Sequence, residues 1–71
     1  MFNIVVAGDF NTENLEIEHL PNIDTGADYT WKKAENLALR TTKIDYIFSN
    51  VTGVGSYKDM TSDHRALYFD I

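Results

Sequence analysis

Phe2-Asn3-Ile4-Val5-Val6-Ala7-Gly8-Asp9-Phe10-Asn11 holds the key to the rest of the chain. Residues 2–7 are a nearly continuous apolar run of β-branched and aromatic character, the pattern of a buried strand. Gly8 permits a sharp turn and stops that strand. Asp9 and Asn11 are therefore expected just past its C-terminal end, where a rigid element holds polar groups at a surface. Ser62-Asp63-His64, far along the chain, stands just before a last apolar strand at residues 66–71. Two acids, a carboxamide and an imidazole are thus placed at strand ends.

Between these segments the chain reads as strands joined by polar loops. Residues 12–28 are polar, with the single Pro21 and a turn-like Asp24-Thr25-Gly26. Leu15, Ile17 and Leu20 have poor periodicity, so the segment is expected to be a loop with one helical turn. Tyr29-Thr30-Trp31 reads as a short strand, and Ala34, Leu37 and Ala38 have helical spacing. In residues 43–49, Ile44, Tyr46 and Phe48 alternate with Asp45, Ile47 and Ser49, a clearer strand. Residues 51–57, broken by Gly53 and Gly55, suggest a strand with a bulge or kink. The expectation is a single domain over residues 1–71, mostly antiparallel sheet with little helix.

A chain of 71 residues buries only about 60% of the surface it exposes when unfolded, so its core is expected to be thin. A hydrophobic content of 44%, with 24% charged residues and a net charge of −5, is that of a globular chain rather than a disordered one. Four of the six basic residues, Lys32, Lys33, Arg40 and Lys43, fall within twelve positions; they form either a solvated face or a local positive surface. No cysteine is present, which excludes disulfide and thiolate chemistry and leaves the cytoplasm as the default compartment. The longest apolar run near the N-terminus, residues 4–7, is far short of a signal core or membrane span, so a soluble chain with no visible address is expected.

The polar groups at the strand ends suit one chemistry. Hydrolysis of a phosphodiester needs a group to take a proton from water, donors or a cation on the phosphoryl oxygens, and help for the leaving oxygen. Asp9 is suited to orienting and deprotonating the water, Asn11 to binding a phosphate oxygen, and His64 to holding the phosphate. Asp45 is the carboxylate that an imidazole needs to fix its tautomer and stabilise its charge. Mg²⁺ suits such oxygen ligands and needs only one or two carboxylates. Each element also has a plain structural reading. Asp-Phe-Asn after a strand is commonly an Asx turn, Asp45 an ordinary surface acid, and an acid followed by His is weak because neighbours on a strand face opposite ways. Only the set carries weight.

Gly8-Asp9-Phe10-Asn11, Tyr29-Thr30-Trp31, Lys43-Ile44-Asp45-Tyr46-Ile47-Phe48 and Thr61-Ser62-Asp63-His64-Arg65-Ala66-Leu67 resemble, in order, the C-terminal motifs of the endonuclease/exonuclease/phosphatase superfamily. This is the deoxyribonuclease-I-like fold. The resemblance implies an α/β (α+β) architecture, the C-terminal half of a four-layered sandwich, and a metal-dependent phosphoesterase acting on nucleic acid or another phosphoester. It makes Asp9, Asn11, Asp45 and His64 catalytic, with Asn11, His64 and Thr30 binding or supporting the phosphate. Asp63 and Asp9 become the acids linked to Mg²⁺, for which Mn²⁺ is a substitute. Inositol phosphates and sphingomyelin are also substrates within the superfamily, so the resemblance leaves substrate choice open.

The chain departs from that pattern in having only seven residues before Gly8. The superfamily's early asparagine, its principal metal-binding glutamate and a mid-domain histidine or tyrosine have no match here. A metal held by Asp63 and Asp9 alone is expected to bind weakly. Uncovered strand faces are expected to seek a missing N-terminal half or a second copy of the chain. The alternatives are therefore an inert half of a split enzyme, or a non-catalytic remnant acting only as an interaction module.

Overall fold

The computed structural model describes residues 2–71. Six five-residue strands form three antiparallel pairs, and no helix occurs among the described residues. Strand β1 (Val5–Asp9) pairs with β4 (Asp45–Ser49), β2 (Trp31–Glu35) with β3 (Ala38–Thr42), and β5 (Val54–Lys58) with β6 (Ala66–Asp70). The class is sheet-rich and antiparallel, as the sequence suggests. No helix of the described residues is long and apolar enough to cross a membrane.

Strand β4 is the centre of the molecule. Tyr46, Ile47, Phe48 and Ser49 are all buried, so the alternation expected of a half-exposed strand is replaced by burial on both faces. The reason is a second neighbour. On the edge away from β1, Asn22 pairs with Phe48, Ile23 N–H donates to Ile47 O, and Ser49 N–H donates to Pro21 O. The polar segment 12–28 thus serves in part as a further strand beside β4. The expected helical turn within residues 12–19 is absent; Asn14 and His19 take positive φ, and Ile17 pairs with Leu20.

The core is as thin as chain length demands: Ala27, Tyr46, Ile47 and Phe48 are its buried apolar residues. Phe10 extends it, with ring centroids 5.9 Å from both Tyr46 and Phe48. The Tyr46 hydroxyl is shared between the carbonyls of Thr12, at 2.7 Å, and Lys43, at 2.9 Å. That hydroxyl ties the segment following Asn11 to the base of β4.

Strand β1 differs from the expected residues 2–7. Gly8 does not end it; at φ +147° it remains paired with Tyr46, and the strand runs on to Asp9 opposite Asp45. At the other end β4 stops at Ser49, so the Asn50 side chain replaces the ladder, accepting from Ile4 N–H and donating to Phe2 O. Nor is β1 buried. Phe2 is 86% exposed, and Ile4 and Val5 are about half exposed, so an apolar surface lies open along this strand.

The helical spacing of Ala34, Leu37 and Ala38 belongs instead to a hairpin, and the short strand expected at Tyr29-Thr30-Trp31 begins only at Trp31. Glu35 pairs with Ala38, leaving Asn36-Leu37 as a two-residue loop with φ 49° and 65°. Positive φ at both loop positions defines a type I′ turn, which favours glycine second. Leu37 sits there fully exposed, its side chain touching solvent alone. Leu37→Gly should relieve about 1 kcal/mol of left-handed strain and raise Tm by roughly 5 °C. A lowered Tm in thermal denaturation would contradict this turn assignment.

Strand β5 begins at Val54 rather than residue 51, and β6 ends at Asp70. Their register is continuous from Val54 opposite Asp70 to Lys58 opposite Ala66, without the expected bulge. The glycines serve close approach instead: a Cβ on Gly55 would lie 2.5 Å from Asp24 O, and one on Gly53 2.6 Å from Asp70 O.

Candidate functional site

Asp9 and Asp45 end and begin their strands directly opposite one another. Phe10 N–H donates to Ile44 O and Asn50 N–H to Ile4 O, which makes Asp9 and Asp45 a pair without mutual ladder hydrogen bonds. Side chains stand closest at such pairs, and like charges there repel. His64 answers that repulsion. Its Nδ1 lies 2.9 Å from Asp45 Oδ2 and its Nε2 3.8 Å from Asp9 Oδ2. The ligand atoms of Asp9, Asp45 and His64 all fall within 4.8 Å of one another.

Hydrogen bonding to Asp45 is the main cause of a His64 pKa raised above its ordinary 6.5, with the charges of Asp45, Asp9 and Asp63 adding to it against some desolvation. Folding therefore favours imidazolium. The stabilisation it contributes is complete below pH 6.5 and is lost as pH rises through the higher folded value. The stabilisation from the lowered pKa values of Asp28 and Asp63 is fully present above their ordinary 3.8 and changes only below it. Comparing denaturation midpoints at pH 6 and pH 8 consequently isolates the imidazole: the protein should be more stable at pH 6, and Asp45→Asn should shrink the difference. An equal difference in that variant would show that another group is responsible.

Three segments converge to hold His64. Residues 63–65 lie antiparallel to the start of β2: Trp31 pairs with His64, Lys32 N–H donates to Asp63 O, and Arg65 N–H donates to Thr30 O. Thr30, wholly buried, also binds the start of β4, because its Oγ1 accepts from both Ile44 N–H and Asp45 N–H at 3.0 Å. One residue thereby fixes Asp45 against His64. Arg65 clamps the same segment from outside, donating to Asp59 at 2.7 Å and Asp28 at 3.0 Å, with its guanidinium 3.6 Å from the centre of the Tyr29 ring.

Asn11 adjoins this group. Its N–H donates to Asp9 Oδ1 in an Asx turn, and its φ of 53° suits asparagine. Asn11, Asp9 and His64 line one open depression of about 420 Å³ together with Thr12, Glu13, Trp31, Arg40, Thr42 and Ile44. A larger depression of about 1130 Å³, bounded by residues 13–22, Tyr46 and Phe48, contains none of the Asp9, Asp45 and His64 group.

Asp63 is placed otherwise. Ser62 Oγ donates to its Oδ1 and Trp31 Nε1 to its Oδ2, with Ser62 the larger influence on its lowered pKa. It is not a member of the three-residue group. With Asp45 committed to His64 and Asp63 to Ser62 and Trp31, the open carboxylate beside the imidazole is that of Asp9. A hard cation such as Mg²⁺ prefers oxygen ligands and a charged, preformed set. The Asp9, Asp45 and His64 group is not by itself evidence of a metal site, and Asp9 and Asp45 are the carboxylates that would hold Mg²⁺ or Mn²⁺ there.

Thr30 is named as a supporting residue by the resemblance, but its double acceptor role shows only once residues 30 and 44 meet. Arg40 carries no signal beyond its positive charge within a basic stretch. No protein-family model, curated protein or solved structure matches the chain.

Proposed function

We propose that this chain is a phosphodiester-hydrolysing domain, nuclease-like in its chemistry, and that its three strand pairs are the C-terminal part of a deoxyribonuclease-I-like sandwich. The observation that carries the reading is the imidazole seated between Asp45 and Asp9, with Asn11 beside them. The 3.8 Å separation of Nε2 from Asp9 Oδ2 is too long for a hydrogen bond, and an oxygen lying to one side of the pair can reach both at hydrogen-bond distance. In this scheme water lies against Asp9, which accepts its proton as the water oxygen bonds to phosphorus. His64, charged and held by Asp45, donates to a phosphoryl oxygen as negative charge grows there. Asn11 donates to a second oxygen, and the bond to the leaving oxygen breaks as the new one forms, the leaving oxygen keeping that bond's electron pair and taking a proton from solvent water. Mg²⁺, implied by the resemblance, enters this scheme only as a supplied ion.

A screen of DNA, RNA and bis(p-nitrophenyl) phosphate, with Mg²⁺, Mn²⁺ or EDTA, tests the proposal. Cleavage of a nucleic-acid phosphodiester is expected, and no turnover on any substrate would overturn it for the isolated chain.

The exposed apolar surface at Phe2, Ile4 and Val5 favours a second reading, an inert half of a split enzyme that needs a covering partner. Light scattering distinguishes the two. A stable 8.1 kDa monomer that turns over substrate rules out the need for a partner; an inactive chain that gains turnover with an added sheet-bearing partner supports it.

A further inference from the structure

The β2–β3 ribbon leaves the body of the protein beside His64, and residues 33–41 along it are all exposed. Cross-strand partners share a face and alternate residues change face. One face therefore carries Trp31 with Thr42, then Lys33 with Arg40, then Glu35 with Ala38. Lys32 and Thr41 fall on the other. Trp31, Thr42 and Arg40 also line the depression that holds Asp9, Asn11 and His64, so this face and the candidate site are one continuous surface.

Lys33 and Arg40 stand directly opposite each other. Like charges so placed destabilise a ribbon. Among the described residues neither takes part in an ion pair, and Glu35, next on their face, bonds to neither. The ribbon thus holds an unneutralised pair of cations about 7 Å beyond the Trp31 and Thr42 step, two residues at strand rise. The protein as a whole carries a net charge of −5, so such a concentration beside the site is against its general balance.

We infer that Lys33 and Arg40 form a phosphate-binding track for a polynucleotide strand, engaging backbone phosphates that flank the one presented to His64. The substrate class is then an extended polyanion rather than a small phosphoester. A single phosphate group at His64 cannot also span the ribbon, whereas a nucleic-acid strand supplies phosphates at regular intervals along it. The inference rests on the proposed role of His64 for what the strand is bound to do, though not for whether it is bound.

The test is fluorescence anisotropy with a labelled twelve-nucleotide single-stranded DNA over a range of NaCl concentrations, with bis(p-nitrophenyl) phosphate hydrolysis followed in parallel. The double variant Lys33→Gln/Arg40→Gln should bind the oligonucleotide at least about tenfold more weakly, and its salt dependence should fall by about 1.4 in log–log slope, about 0.7 for each phosphate no longer neutralised. Turnover of the small diester by the single variant Lys33→Gln should stay within about twofold of wild type, because Lys33 does not line the depression at His64. Lys33→Arg/Arg40→Lys should keep affinity, as should Lys58→Gln on β5. Unchanged affinity and slope in the glutamine double variant, an equal loss in Lys58→Gln, or no binding by the wild type would each overturn the inference. Binding that depends on Lys33 and Arg40 without turnover of any diester would uphold the track and refute the hydrolytic reading.

Discussion

His64→Gln is expected to lower phosphodiester turnover by about 10²–10⁴-fold, the range typical of losing a positioned proton-transfer or charge-stabilising group. Glutamine retains size and one hydrogen bond to Asp45 but carries no charge. On the proposed mechanism two things disappear together: the donor that meets growing charge on the phosphoryl oxygens, and the protonatable group between Asp9 and Asp45 across their strand pair. The second effect should show separately, because opposed carboxylates without an intervening cation repel. A modest fall in Tm at pH 6 is expected, shrinking as pH rises through the imidazole's raised pKa. Steady-state kcat/KM beside thermal melts of the same samples checks both. Turnover within tenfold of wild type would show that His64 is not at the reacting phosphate.

Thr30→Val should be the most destabilising conservative change near the site. Valine matches threonine in shape, so packing is kept while Oγ1 is removed. That oxygen accepts from Ile44 N–H and Asp45 N–H, both part-buried donors. Stranding a buried donor costs about 1–3 kcal/mol, so two together should cost about 2–6 kcal/mol, a large share of what so small a core supplies. Asp45 would then lose its fixed place against His64, and turnover should fall with stability. Thr30→Ser keeps the oxygen and should restore most of both. Equal denaturant midpoints for Thr30→Val and wild type would contradict the clip.

The residues of the proposed site are the most legible part of the sequence. Asp9 and His64 stand out by type and by strand-end position, Asp45 only as the carboxylate an imidazole needs, and the three meet in the fold. Asp63 groups with them in sequence through adjacency to His64, but alternation along an extended segment turns it to Trp31 and Ser62. The central strand is legible because a run of aromatic and branched residues has few other uses; its two-sided burial is not, because segment 21–23 has polar composition and no strand signal. The β2–β3 hairpin is hidden by Asn36-Leu37, which lacks the glycine that marks a type I′ turn, while its alanines and leucine mimic helical spacing. Gly8 reads as a stop because glycine usually breaks strands, yet its φ of +147° lets pairing continue to Asp9 and sets two acids face to face.

The central claim is that His64 is held between two carboxylates that strengthen its hold on a proton. Its most direct test is an NMR titration of the His64 ring in the wild type and in Asp45→Asn. The account predicts a wild-type pKa above 6.5, with the proton at Nδ1 held by Asp45, and a fall towards 6.5 in the variant. A His64 that titrates at or below 6.5 in the wild type, unmoved by the loss of the Asp45 charge, would contradict it.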